Sequence, residues 1–434
     1  MSAAAASEPP SAAQAAVRAG HYRWVICALL FFAMVFNYVD RQMIGVLKPT
    51  LQKEFGWSET AYGHIVFYFQ AAYALSYLFF GRFVDWVGAK AGYAVAFVIW
   101  TIGHMSHAAV RTVSGFILAR IVLGVGEGGG FPAGLKAVAE WFPRRERAFA
   151  TGIFNAGTNV GAIVTPLIVP LIALDWGLGW RMTFLLTGLP ALLVLAVWLI
   201  VYRRPAEHPR VDSAELALID SDPIEPPLGR ISWLRLLRTR ETWAYCAGKF
   251  LLDPIWWMFL FWLPDFFARR YHLDLKTFGP PLVAVYMLSN IGSIGGGWFS
   301  GALMKRGFSL NAARKIAMLI CAVLVTPVAF AMYAGNLWLA VGIIGLATAA
   351  HQGFSANLYT LPSDVFPKAA VGTVSGIGGA AGAVGGMLMA EYAGWVLQKI
   401  GSYTPIFVVA ASVYLLAVLI IHLLMPRYEP ARLG

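Results

Sequence analysis

Apolar segments about as long as a membrane is thick recur along the whole chain, separated by shorter polar segments. A helix needs about 20 mostly apolar residues to cross a bilayer, and twelve segments of this sequence have that length and character. The pattern predicts an all-α membrane protein with twelve transmembrane helices. We expect these helices to begin near Tyr22, Ala61, Ala91, Thr112, Ala148 and Met182, and near Glu241, Pro281, Ala312, Leu337, Ala370 and Thr404.

One long polar stretch, residues 204–240, divides the twelve segments into two sets of six. Its prolines and mixed charges are typical of a linker. A weak repeat relates the two sets, because "AEWFPRRERAFATG" after the fourth segment parallels "PSDVFPKAAVGTVSG" after the tenth. We therefore expect two pseudo-symmetric six-helix bundles, residues 22–203 and 241–425, flanked by a disordered tail (1–21) and a short tail (426–434). Two related halves are typical of secondary transporters, which bind substrate near the midplane between them.

The composition supports a membrane protein, since 59% of the 434 residues are hydrophobic and 13% are charged, against about 25% charged residues in soluble domains. The net charge is +11, and most Lys and Arg residues fall in the tails and in the loops on the side of the N-terminus. Cytoplasmic loops are enriched in these residues. We therefore expect both termini in the cytoplasm, and the distribution argues against nucleic-acid binding.

The sequence lacks the residues that several other classes of function need. The N-terminal sequence has no apolar core and cleavage site of a signal peptide. The three cysteines, Cys27, Cys246 and Cys321, lie in apolar segments without the spacing of a disulfide framework or a metal site. No nucleophile–base set indicates an enzyme, and the linker and tails are too short for the soluble domain of a sensor. We expect no cofactor, no metal and a monomer.

Charged residues interrupt the first apolar segment, "FFAMVFNYVDRQMIGVL", in which Asp40 and Arg41 are adjacent. Each such charge costs roughly 2.5 to 3.5 kcal/mol at the centre of a membrane helix. The fourth segment carries Arg120, Gly124 and Glu127 at i, i+4 and i+7, which puts them on one helical face. Charges inside a membrane usually mark a substrate or proton path; the alternative is a purely structural set of links between helices.

The chemistry of these groups suits two tasks. An Arg guanidinium binds a carboxylate through two parallel hydrogen bonds and keeps its charge, which suits recognition of an organic anion. A carboxylate in a low-dielectric cavity responds to burial and to a nearby Arg, so it can gain and lose a proton as the cavity opens and closes. The sequence therefore predicts an anion site beside a proton site.

Short motifs resemble those of the major facilitator superfamily. Gly81, Asp85, Gly88 and Lys90 match its loop motif between helices two and three, with Trp86 in place of the usual basic residue. "NYVDR", "RIVLGVGEGGGFPA" and "FNAGTNVGAIVTP" are similar to its anion:cation symporter family, and "DPIWWMFLFWLPDFF" is most similar to the hexuronate transporters of that family. The resemblance implies proton-coupled symport of a sugar-acid anion, such as glucuronate or galacturonate, by alternating access. The alternative is symport or exchange of another organic anion, such as an aldonate, another carboxylate or an organophosphate.

The resemblance also implies roles for individual residues. Arg41 is expected to bind the substrate carboxylate. Asp40 and Glu127 are expected to carry protons, and Arg120 to balance the charge of these acids. Eight other polar residues are candidates for the substrate site. Each could instead pack between helices, and His351 could be a core histidine with satisfied hydrogen bonds. The eight residues are Tyr38, Tyr73, Asn155, Thr158, Asn159, His351, Asn357 and Tyr359.

Further residues are candidates for a gate or for structural pairing. Lys249 and Asp253 are spaced i, i+4, which allows an ion pair along the helix, and Pro254 and Trp257 follow on the same segment. Asp85 belongs to the loop motif that, in the family, joins the two halves at the cytoplasmic face. The sequence leaves open whether these residues gate the substrate path or only stabilise the fold.

Overall fold

Helices make up nearly all of the ordered structure. A computed structural model describes residues 20–221 and 232–431, and this part of the chain contains no β-strand. Parts of the predicted tails and linker therefore lie outside the described residues. The helices are α1 Tyr22–Phe55, α2 Glu59–Ser106, α3 Val113–Trp141, α4 Arg144–Pro170, α5 Gly179–Val201, α6 Ser213–Ile219, α7 Trp233–Leu237, α8 Arg240–Tyr271, α9 Gly279–Lys305, α10 Leu310–Val325, α11 Leu337–Leu358, α12 Leu361–Val365, α13 Lys368–Lys399 and α14 Thr404–Leu424.

Eleven of the described helices are long and apolar enough to cross a membrane. One of them, Glu59–Ala109, has 51 residues, consists of α2 and the 3₁₀ turn that follows it, and contains two of the predicted spans. Gly88 separates these spans, because its φ of 86° and ψ of 165° break the helical backbone, and glycine adopts such angles without steric strain. The structure thus confirms the twelve predicted spans.

Small residues bring α2 close to helices of both halves. Gly124 on α3 lies against the backbone carbonyl of Phe69 on α2, and Gly386 on α13 lies against the side-chain carbonyl of Gln70. A methyl group at either glycine would collide with α2. Membrane helices approach each other in this way through small residues. The contacts make α2 a link between the two halves.

The two halves meet at the far face of the molecule. We use this name because an even number of crossings puts both termini at the opposite face, the terminal face. Lys48 on α1 pairs with Asp265 on α8 at 3.0 Å and with Glu59 at 2.8 Å. Arg269 on α8 also pairs with Glu59. We call these four residues the far gate; Lys48 at its centre is fully buried.

The terminal face is open between the halves. Contacts between α2 and α13 extend from Gly63, near the far face, to Tyr77, which lies beside Gly379. Closer to the terminal face, a methyl group built on Gly81 or Gly376 would meet no atom within 4 Å. The two halves are therefore in contact along α2 and α13 near the far face and apart near the terminal face.

The first part of the linker is folded onto the first half. Glu215 on α6 is fully buried and accepts hydrogen bonds from the backbone N–H groups of Tyr22 at 3.2 Å and Arg23 at 3.0 Å. Arg23 also pairs with Glu146 in the first turn of α4, at 2.9 Å. These contacts fix the start of α1 at the terminal face.

Candidate functional site

Arg41 and Glu127 form a buried ion pair between α1 and α3. Arg41 Nε donates a hydrogen bond of 2.7 Å to Glu127 Oε2, and Nη2 lies 2.7 Å from the same oxygen. Arg41 is 4% exposed and Glu127 is 2% exposed. Glu127 Oε1 has no hydrogen-bond partner within the described part of the chain. The carboxylate therefore holds the guanidinium through one oxygen.

Aromatic rings surround the Arg41 guanidinium. Such cation–π contacts favour a guanidinium that has lost its water. Trp257 belongs to the second half, so the four rings, which we call the Arg41 cage, span both halves. Three of the four rings were candidates from the sequence. Phe69 was not, although it precedes Tyr73 by one helical turn. The distances from Arg41 Cζ to the ring centres are 4.8 Å for Tyr38, 4.9 Å for Tyr73, 4.9 Å for Trp257 and 5.7 Å for Phe69.

Asp40 precedes Arg41 in the chain, but its side chain lies in a different environment. With 3.6 residues per turn, consecutive helical residues point about 100° apart. Asp40 Oδ1 lies 3.3 Å from Nε2 of His104 on α2. Asp40 and His104 are both fully buried, and neither Asp40 oxygen has a hydrogen bond among the described residues. Asp40 and Arg41 are adjacent in α1, but their side chains thus lie in two separate environments.

Arg120 lies close to both environments. Its Nη1 donates a hydrogen bond of 3.2 Å to the backbone carbonyl of Arg41, and its guanidinium lies 5.3 Å from the ring centre of Phe69. Nε and Nη2 have no hydrogen-bond partner within the described residues, and the side chain is buried. Arg120 interacts electrostatically with Asp40 and Glu127, although neither acid lies at ion-pair distance among the described contacts. Its charge can therefore act on both acids.

The polar candidates of α4 differ in their accessibility. Asn155 is exposed, Asn159 is half-buried and Thr158 is buried. The Thr158 hydroxyl donates a hydrogen bond of 2.7 Å to the backbone carbonyl of Asn155. Gly161 packs against Tyr38 of α1, which places α4 beside the Arg41 cage. The asparagine amides are therefore more accessible to a ligand than the Thr158 hydroxyl.

Lys249, Asp253 and Tyr359 form a second polar cluster in the second half. Lys249 Nζ lies 2.6 Å from Asp253 Oδ2, so the predicted ion pair is present, and it donates a hydrogen bond of 3.0 Å to the Tyr359 hydroxyl. Lys249 precedes Trp257 by two turns of α8, or about 12 Å along the helix. Tyr359 is 52% exposed. The cluster thus lies between the Arg41 cage and the terminal face.

His351 and Asn357 are buried within the second half. The two ring nitrogens of His351 lie 2.6 Å from the Tyr414 hydroxyl and 3.3 Å from the Ser355 hydroxyl. The Asn357 amide donates a hydrogen bond of 3.0 Å to the backbone carbonyl of Gly296 on α9. These polar groups therefore form hydrogen bonds between helices and within α11.

Asp85 pairs with Lys136 on α3 at 2.9 Å. Both residues belong to the first half, so this pair does not join the halves in the present conformation. Sequence reasoning also missed Gln42, which donates a hydrogen bond of 2.9 Å to Tyr286 across the two halves. Within the described residues, no group of three or more His, Cys, Asp or Glu side chains could hold a metal ion.

Comparison with known proteins places this arrangement in a family. Residues 30–390 match the Major Facilitator Superfamily. The chain belongs to this superfamily. It is 31% identical over 405 residues to the hexuronate transporter of Escherichia coli (strain K12), covering 92% of this chain and 93% of the relative. It is 29% identical over 308 residues to the galacturonate transporter of Dickeya chrysanthemi, covering 70% and 88% of the two chains.

The chain is also 28% identical over 417 residues to the D-galactonate transporter of Escherichia coli O6:H1, covering 93% of this chain and 96% of the relative. The fold is also similar to the crystal structure of a bacterial homologue of the human lysosomal transporter Spinster, in an inward-facing and occupied conformation. The TM-score is 0.69 at 18% identity, covering 94% of this chain and 96% of that one. The chain is thus a multi-pass membrane transporter with the major facilitator fold and not an enzyme.

Proposed function

We propose that the protein is a proton-coupled symporter that imports a hexuronate, or a similar sugar-acid anion, across the inner membrane by alternating access. It acts as a monomer with both termini in the cytoplasm. The observation that carries the proposal is the Arg41–Glu127 pair inside the Arg41 cage. A permanent positive charge is there held by a carboxylate that a proton can neutralise.

The pair suggests how an anion and a proton are coupled. Arg41 needs a negative partner, because a buried unpaired charge is costly, and Glu127 supplies it in the structure. A substrate carboxylate binds a guanidinium through the same geometry, so it competes with Glu127 for Arg41. Glu127, once displaced, needs a proton for the same reason that Arg41 needed a partner. One anion and one proton then enter together, and the charge of the site is unchanged.

The rest of the site suits a sugar acid. The rings of the Arg41 cage offer flat apolar faces to a sugar ring. Asn155, Asn159 and Tyr359, the more accessible polar candidates, can exchange hydrogen bonds with sugar hydroxyls. The names of these relatives, which transport hexuronates, galacturonate and galactonate, favour a sugar acid of this size.

The open face fits import. The excess of Lys and Arg on the side of the termini favours a cytoplasmic terminal face. With that orientation, the structure is an inward-facing conformation in which the far gate closes the external side. Substrate released from Arg41 would then pass the Lys249 cluster on its way to the cytoplasm.

Counterflow into proteoliposomes tests the substrate. Vesicles loaded with unlabelled glucuronate should take up labelled glucuronate. Galacturonate should compete, and glucose, which has no carboxylate, should not. Stronger competition by galactonate than by either hexuronate would move the assignment to aldonates.

A pH gradient on the same vesicles tests the coupling. An alkaline interior should drive glucuronate accumulation above the external concentration, and a protonophore should abolish it. Accumulation that survives the protonophore without any other cation gradient would contradict proton coupling. Counterflow without accumulation would indicate an exchanger.

A further inference from the structure

A buried polar pocket lies behind Asp40, outside the Arg41 cage. We call it the Asp40 pocket, and it is formed by Asp40 on α1, His104 on α2, Arg120 on α3 and Thr187 on α5. Their exposed fractions are 0%, 0%, 1% and 3%. Four helices therefore converge on polar groups in the interior of the first half, where apolar residues would cost less.

The hydrogen bonds of Thr187 indicate which nitrogen of His104 carries the hydrogen. Thr187 Oγ1 lies 2.7 Å from the backbone carbonyl of Thr183, which can only accept, so the hydroxyl hydrogen is used there. The same oxygen lies 2.8 Å from His104 Nε2 and must accept from it. Nε2 therefore carries a hydrogen. Nε2 also lies 3.3 Å from Asp40 Oδ1. The N–H makes no hydrogen bond to the carboxylate in the present conformation, but Asp40 is a second acceptor within its reach.

No other cationic or histidine side chain of the described residues lies at ion-pair distance from Asp40. The other charged or titratable groups near the pocket are Arg120 on α3, whose Nε and Nη2 are unpartnered, and His107, one turn from His104, whose Nε2 is unpartnered. His107 Nδ1 lies 2.7 Å from the backbone carbonyl of Gly103. On α5, the hydroxyl of Thr187 lines the pocket. His104 is thus the group placed to hold the Asp40 carboxylate.

We propose that His104 is a positioning residue of the Asp40 proton site. Its Nε2–H holds the Asp40 carboxylate when the proton has left, and Thr187 orients the imidazole. This inference rests on the proposed proton coupling and on the expectation, drawn from the family resemblance, that Asp40 carries a proton as well as Glu127. His104 does not contact the Arg41 cage, so its role is in coupling and not in substrate affinity.

Two substitutions at His104 distinguish the effect of the hydrogen bond from the effect of the ring shape. His104→Phe keeps a flat ring and removes the N–H, and His104→Gln restores an N–H donor near the position of Nε2. His64→Gln is the matched control, because His64 lies on the same helix, is about half exposed and pairs with Glu391. Gradient-driven uptake should fall roughly tenfold or more in His104→Phe, as expected for the loss of a hydrogen bond to a charged group. It should be largely restored in His104→Gln, while counterflow and substrate affinity stay close to the wild type in both.

Infrared difference spectroscopy detects the same contact and requires neither substrate nor transport. The carbonyl stretch of protonated Asp40, identified by its loss in Asp40→Asn, should move to higher frequency in His104→Phe, because the N–H donor that we propose for that carbonyl is removed. It should return towards the wild-type value in His104→Gln. In Thr187→Val, which removes the hydroxyl that now accepts from Nε2–H and so frees this N–H for Asp40, the band should move to lower frequency. This variant keeps the test decisive if His104→Phe does not fold.

An Asp40 band that is unchanged in His104→Phe, or in Thr187→Val if the former is unstable, would overturn the inference. So would a parallel loss of counterflow, affinity and uptake in His104→Gln, which would indicate a structural role. If the wild type binds no sugar acid but the Asp40 band shifts as described, the pocket is correct and the proposed substrate is wrong. The two failures are therefore distinguishable.

Discussion

Arg41 Nε and Nη2 both lie 2.7 Å from one oxygen of Glu127, Oε2. The other oxygen of that carboxylate has no partner among the described residues. Glu127 therefore binds the guanidinium through a single oxygen, although the planar fork of the guanidinium can bind two oxygens in parallel. A ligand carboxylate that used both oxygens would make a better contact than Glu127 does. This geometry supports the proposal that Glu127 is an exchangeable occupant of the anion site.

Glu127→Gln should separate exchange from accumulation. Gln is nearly isosteric with a protonated glutamate, so it leaves Arg41 free for substrate and cannot release a proton. Counterflow should persist, whereas accumulation driven by a pH gradient should fall to the background. Both activities are measured on the same proteoliposomes. If both are lost together, Glu127 is a structural or substrate residue; if both survive, Asp40 alone carries the proton.

Arg41→Lys should nearly abolish substrate binding in a folded protein. Lys keeps the charge but loses the planar fork and much of the stacking in the Arg41 cage. The loss of one partner of a buried charged contact costs on the order of 2 to 5 kcal/mol, or about 30-fold or more in affinity. Calorimetric titration with glucuronate measures this change. An affinity within about threefold of the wild type would remove Arg41 from the anion site.

Asp265→Asn should open the far gate. Lys48 is fully buried, and the substitution leaves it with Glu59 as its one remaining partner in the gate. Removing one member of a buried ion pair costs on the order of 3 to 5 kcal/mol, so the ratio of open to closed far faces should rise at least roughly tenfold. Spin labels at Lys53 and Lys399, both exposed near the far face, report this ratio as a longer distance.

Asp274→Asn is the control for that measurement. Asp274 lies in an exposed loop before α9, where its carboxylate accepts a hydrogen bond of 3.0 Å from the backbone N–H of Thr277. Asparagine can accept the same bond, so the label distances should not change. Equal distance distributions in Asp265→Asn and Asp274→Asn would show that the far gate does not hold the far face closed.

Gly124→Ala should destabilise the first half. The added methyl group would collide with the backbone carbonyl of Phe69, which cannot move without shifting α2. Overpacking of this kind costs about 1 to 3 kcal/mol, so the apparent melting temperature in detergent should fall. Gly297→Ala is the control, since a methyl group there meets no atom within 4 Å. A melting temperature equal to that of the control would mean that α2 and α3 are not closely packed at this position.

Much of the fold followed from residue patterns. Apolar length alone located the twelve spans, because the bilayer imposes a minimum length on each helix. The charges at Asp40, Arg41 and Glu127 pointed to an interior site, since charges are rare inside membranes and need partners there. Helical spacing could not determine which acid Arg41 would face. That choice depends on how α1 is rotated against α3, which is set by the packing of whole helices.

Other features depend on contacts that a sequence does not reveal. His351 and Asn357 have the same polar character as Asn155, yet they are buried between helices, because α11 is surrounded by protein on most sides. The far gate was not predicted either. Lys48 and Asp265 lie near span ends, where charged residues ordinarily contact water, and only the approach of the two halves buries them.

The central claim is that substrate and Glu127 compete for Arg41, and the affinity for glucuronate at two pH values tests it most directly. At low pH, Glu127 is more often protonated and no longer competes, so wild-type affinity should be higher at pH 5.5 than at pH 8, by about tenfold, the value of a charge-assisted hydrogen bond. In Glu127→Gln, the affinity should match the tighter wild-type value at both pH values. Wild-type affinity that does not change with pH, or a pH dependence that persists unchanged in Glu127→Gln, would contradict the claim.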